Sequence, residues 1–69
     1  MSAIRCLRAM PGAPHVWHVR GRARAGGGRT SVCVYTAAPL QPRAWADAWA
    51  DHSTWLDIKQ VLYVGEGVA

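Results

Sequence analysis

Three consecutive glycines, Gly26-Gly27-Gly28, stand between two runs rich in β-branched and aromatic residues, and this constrains the fold more than any other feature. Tight hairpin turns need positive φ, which glycine adopts without steric cost. The flanking runs, His15 to Arg24 and Arg29 to Ala37, are therefore expected to pair as antiparallel strands. A loop of Gly26-Gly27, or of the four residues Ala25 to Gly28, sets Arg24 against Arg29 and Val19 against Val34. One face then carries Trp17, Val19, Val32 and Val34. The other carries His18, Arg20, Arg22, Arg24, Arg29, Ser31 and Tyr35. An odd loop would mix the two sets, so their segregation favours an even one.

The rest of the chain arranges itself around this hairpin. Residues Ser2 to Met10 are a candidate first strand, though their alternation is poor, and Pro11-Gly12-Ala13-Pro14 is a turn signal. Beyond Pro39-Leu40-Gln41-Pro42, the residues Trp45, Ala48, Trp49 and His52 lie at i, i+3, i+4 and i+7. That spacing predicts a helix with Trp45 and Trp49 facing the core. Pro42 suits a first helical position, where its missing N–H costs nothing. Trp55 to Val64 alternates and reads as a strand, with a second helix capped by Thr54 as the competing reading. Leu56, Ile58, Leu62 and Val64 would face inward, with Gln60 the one exception, and Trp55, Asp57, Lys59, Val61 and Tyr63 outward. The expected fold is a single small α+β domain over 1–69, in (β)ββαβ order. It would have an antiparallel or mixed sheet of three to four strands with a central hairpin, and one α-helix packed on one face.

Composition narrows the function classes. The chain has 69 residues, a formal charge of +4, and arginine at seven of its eight basic positions. Arginine suits phosphate and carboxylate because its planar fork makes paired hydrogen bonds, although a GC-rich coding bias gives the same composition. Two cysteines, Cys6 and Cys33, are too few for a disulfide scaffold. No apolar run is long enough to span a bilayer, and Arg5 and Arg8 interrupt any leader-like stretch. The expected setting is cytoplasmic, with both cysteines as thiols.

Few chemistries fit these residues. His15 and His18 are the only close pair of metal-ligand type, and on a strand they point to opposite faces, so no metal or cofactor is expected. The glycine run lacks a following lysine and leads into a strand instead of a helix, so it is not a phosphate loop. No nucleophile motif occurs and the chain is short for an enclosed pocket. An enzyme is therefore not expected, nor is a small-molecule substrate.

What remains is binding. A helix on one sheet face would leave the other open, presenting Arg20, Arg22, Arg24 and Arg29 with His18 and Tyr35. Guanidiniums that hold phosphates, interleaved with rings that stack on bases, suit RNA or single-stranded DNA; an acidic protein surface is the other anionic candidate. The alternative is a phage- or mobile-element-type inhibitor or adaptor. It would bind a host protein, such as a defence nuclease complex, through exposed Trp55, Val61 and Tyr63. Burial of the same apolar residues in a homo-oligomer is a further possibility.

Overall fold

The computed structural model describes residues 10–67. Three strands and one helix follow in order: β1 (His15–Ala23), β2 (Arg29–Thr36), α1 (Gln41–His52) and β3 (Leu56–Glu66). The sheet order is β2-β1-β3, and β1 is antiparallel to both neighbours. β2 and β3 therefore run parallel to each other, and α1 links them by crossing over β1. This is a small α+β fold in ββαβ order, as the residue pattern implied. The strand expected over Ser2 to Met10 lies outside the described residues except for Met10, which bridges to Ala13 across the Pro11-Gly12 turn.

The hairpin keeps its faces but not its expected register. Arg22 pairs with Arg29, Val19 with Val32 and Trp17 with Val34. This is a two-residue slip from the expected alignment, and an even slip leaves every side chain on its own face. The cause is a contact far along the chain. The Arg24 N–H donates to the Trp55 carbonyl at 2.9 Å, which draws Arg24 towards β3 and away from Arg29. The loop then closes one step lower. Ala23 N–H donates to Gly28 O and Gly27 N–H to Ala23 O, with Gly26 and Gly27 at φ of 88° and 70°.

β3 departs further from expectation. Arg20 pairs with Gln60 but Gly21 pairs with Ile58, so Lys59 is an extra residue, a β-bulge. Leu56 and Ile58 face the helix as expected. Past the bulge the parity reverses, so Val61 is buried in the core and Leu62 stands exposed on the other face. A second irregularity at Val64, between Val16 and Trp17 of β1, leaves that residue exposed too. The expected inward Leu62 and Val64 and outward Val61 are corrected by this geometry. Gly21 makes the bulge possible. A Cβ there would collide with the Asp57 carbonyl oxygen and lie 3.1 Å from Ile58 Cα, so only glycine lets β3 approach so closely.

α1 buries Ala44 and Ala48, not its tryptophans. The sheet is three strands wide, about 10 Å between its outer strands. A helix seated on so narrow a platform fits small residues beneath it. Gln41 donates from its side-chain amide to the Val61 carbonyl at 3.1 Å, anchoring one helix flank over β3. Trp45 follows on that flank, half-buried against the core, and Trp49 is exposed, which corrects its expected core role. A buried polar chain closes the open end of the core. Trp17 Nε1 donates to Thr36 Oγ1 at 2.8 Å, and that hydroxyl donates to the Ala38 carbonyl at 2.6 Å. Cys33 is disulfide-bonded, which corrects the thiol expected at that position.

Candidate anion-binding site

On the sheet face away from α1, β1 presents Arg20 and Arg22, two residues apart and hence on one side of the strand. Arg29 of β2 lies opposite Arg22, and Ser31 lies opposite Arg20. On the other flank Gln60 is opposite Arg20, and the bulge directs Lys59 to the same place. Arg20, Arg22, Arg29 and Lys59, with Thr30, Ser31, Gln60 and the Gly21 backbone, line an open depression of about 340 Å³. Four cations meet the Ser31 hydroxyl and the Gln60 amide there, and no carboxylate lines it.

One local ion pair offsets this imbalance at Lys59 and leaves the three arginines. Among the described residues Asp57 is the carboxylate nearest in register, opposite Arg22, and it pairs with Lys59 at 2.9 Å. A hydrogen bond from Lys59 holds the Asp57 carboxyl below its ordinary pKa, against the opposing effect of desolvation and with help from the charges of Lys59 and Arg24. No salt bridge engages Arg20, Arg22 or Arg29 among the described residues; the other ion pair is Arg43–Asp47 on the helix. Arg22 is steered by its own loop, donating from Nη1 to the Gly27 carbonyl at 3.0 Å. Among the described residues no side-chain hydrogen bond engages Arg20 or Arg29. Like charges held this close raise the local potential and attract anions.

The other expected site residues go elsewhere. Arg24 leaves the set: its Nε donates to the Ser53 carbonyl at 2.7 Å, at the C-terminal end of α1 where a cation complements the helix dipole. Tyr35 faces the same side as Arg20 but pairs with Val16, four residues along the strand, about 13 Å away. His18 also faces this side, at the closed end of the sheet. Val16 beside it has no exposed surface, and His18 Nε2 is buried without a hydrogen-bond partner. Tyr63 is on the helix side, with its hydroxyl 2.9 Å from His15 Nδ1 and its ring tilted 4.9 Å from Trp17. The bulge at Lys59 put it there. Trp55 sits between α1 and β3, edge-on to His52, and does not line the depression.

Lys59, Thr30, Ser31 and Gln60 are the lining residues that the sequence pattern did not nominate. Gln60 carried a signal nonetheless, as the polar residue interrupting an apolar register. Among the described residues, no group of three His, Cys, Asp or Glu is placed to hold a metal, and no helix is long and apolar enough to cross a membrane. No family model, curated protein or solved structure matches the chain.

Proposed function

We propose that this protein is a non-enzymatic binding protein that holds the phosphate backbone of a nucleic-acid strand in the Arg20–Arg22–Arg29–Lys59 depression. The observation that carries the reading is the convergence of three guanidiniums, without a carboxylate partner among the described residues, beside hydroxyl and amide groups. Arginine forks pair with phosphate oxygens, and Ser31 and Gln60 suit the oxygens left over. Base stacking has little part in the proposal, because Tyr35, Tyr63 and Trp55 all lie away from the depression. Recognition would be tolerant of sequence and governed by salt. A nucleic-acid partner suits the cytoplasmic setting, while the bond at Cys33 suits an oxidising one.

The test is a fluorescence-anisotropy titration of labelled single-stranded RNA across a salt series. Three to four phosphate contacts on a single strand imply a log–log salt slope of about −2 to −3, or a loss of about 20- to 50-fold between 50 and 200 mM. Replacing Arg20, Arg22 and Arg29 together with Ala should leave a slope near −0.7, that of about one contact. Absence of binding at the lowest salt, or an unchanged slope in the triple variant, rejects the proposal. A second reading, docking to a host protein, is supported by the exposure of Trp55 and Tyr63. In that case Trp55→Ala with Tyr63→Ala would abolish association, and the triple arginine variant would keep it.

A further inference from the structure

The arginines of the depression are gathered around one place and are not spaced along a track. On β1 they occupy a single step of the face, Arg20 to Arg22, about 7 Å. Arg29 stands directly across from Arg22, where paired Cα atoms are about 4.5–5.5 Å apart. Beyond Arg20 the next residue of this face is His18, between Cys33 and Leu62. In the other direction Arg24 is drawn off to the Ser53 carbonyl. A backbone laid along β1 would leave the arginines soon after meeting them. Like charges directly opposite in a ladder repel. Among the described residues no ion pair relieves Arg22 and Arg29. An anion of more than one charge, seated at that place, offsets the repulsion best.

We propose that the group seated there is the terminal phosphomonoester of a nucleic-acid strand, gripped by Arg20, Arg22 and Arg29. This rests on the reading of the depression as a nucleic-acid site, and it names the part of the strand that the site takes. The match is one of oxygens to forks. Each guanidinium can donate two parallel hydrogen bonds to a pair of oxygens. Arg22 spends one donor on the Gly27 carbonyl and keeps the rest of its five. A phosphodiester has two unesterified oxygens and so one edge for a fork, whereas a phosphomonoester has three oxygens, three edges and about −1.5 to −2 charge at pH 7. Three arginines line the depression. Ser31 and Gln60 flank Arg20 on its two sides and can donate to the same oxygens. No aromatic ring lines the depression, so the end is read by its phosphate and not by its base.

Fluorescence anisotropy of one single-stranded RNA sequence, labelled internally and carrying a 5′-phosphate, a 3′-phosphate or hydroxyls at both ends, tests this at a fixed salt concentration. At least one phosphorylated form should bind about 10-fold or more tighter than the hydroxyl-ended strand, the worth of one further charge-assisted hydrogen bond. The tighter form identifies which terminus is held. Arg22→Lys with Arg29→Lys keeps the charge and removes two forks. Both side chains are exposed, so the fold should persist by circular dichroism while the ratio between phosphorylated and hydroxyl-ended strands falls towards one. Inorganic phosphate, which supplies the group without the strand, should compete only far above the Kd of the phosphorylated RNA. If all three strands bind equally tightly and weaken alike with salt, the depression holds phosphodiesters and the strand-end assignment alone falls. If none binds at the lowest salt, the nucleic-acid reading falls with it. A lysine variant that keeps the full preference, or inorganic phosphate that binds as tightly as the strand, also overturns the assignment.

Discussion

Gly21→Ala should unfold the protein at a markedly lower temperature, and the size of the effect follows from one close approach. The added methyl would meet the carbonyl oxygen and carbon of Asp57, the latter at 2.9 Å, and Ile58 Cα at 3.1 Å. These are backbone atoms, so no rotamer change relieves the collision. β3 must shift or the bulge must open. Overpacking of this kind costs about 1–3 kcal/mol, and a clash with backbone belongs at the upper end. Against it, alanine gains about 0.5–1 kcal/mol over glycine within a strand through lower unfolded-state entropy. The net cost is about 2 kcal/mol, from a total that rarely exceeds about 3–5 kcal/mol in a chain this small. A domain of this size loses about 4–8 °C per kcal/mol, so Tm should fall by about 8–16 °C. Thermal unfolding by far-ultraviolet circular dichroism measures it. Gly28→Ala is the control: nothing lies within 4 Å of its added methyl and its φ is not positive, so it should be neutral or slightly stabilising. If Gly21→Ala melts at or above the wild-type temperature, the reasoning about β3's close approach is wrong.

Two further predictions concern the polar chain under the sheet and the edge of the arginine site. Thr36→Val removes the acceptor of the buried Trp17 N–H and should cost about 1–3 kcal/mol, whereas Thr36→Ser keeps the hydroxyl and should cost under about 1 kcal/mol; equal loss in both, read by urea unfolding, would discount the hydrogen bond. The lowered pKa of Asp57 means that its ionised form gains stability from Lys59 above the unfolded-state pKa and loses it as pH falls through the folded one. Lys59→Ala should therefore raise the Asp57 carboxyl pKa towards its ordinary value in an NMR titration, and no upward movement would count against the hydrogen bond as its main cause.

What could be read from the residues divides along the range of the interactions that decide each feature. The hairpin was legible because glycine φ preference and period-two alternation are local, and its faces survived because an even slip conserves parity. Its register was not, since the Arg24 amide is claimed by Trp55, thirty-one positions on. The helix was legible from its spacing. Its inward stripe was not, because Trp45–Trp49 and Ala44–Ala48 are adjacent stripes of one helix. The narrow sheet and the Gln41–Val61 bond select the alanines. In β3 the aliphatic residues Val61, Leu62 and Val64 satisfy either parity, so the bulge left Gln60 as its one trace. The candidate site was half legible for the same reason. Arg20, Arg22 and Arg29 belong to the hairpin and were nominated together, whereas Lys59 and Gln60 reach them only through the bulge.

That single extra residue ties the architecture to the character of the arginine site. With regular alternation through Lys59, Leu62 would enter the core, Val61 would leave it, and Tyr63 would lie on the arginine face, where a ring could stack on a base. With the bulge, Tyr63 instead joins Trp17 and His15 on the helix side, and Lys59 turns towards the guanidiniums. The arginine face thereby becomes richer in charge and poorer in aromatics, which favours phosphate over base as the group recognised. The same shift exposes Leu62 on one side of the strand and Tyr63 on the other, on a run without charge.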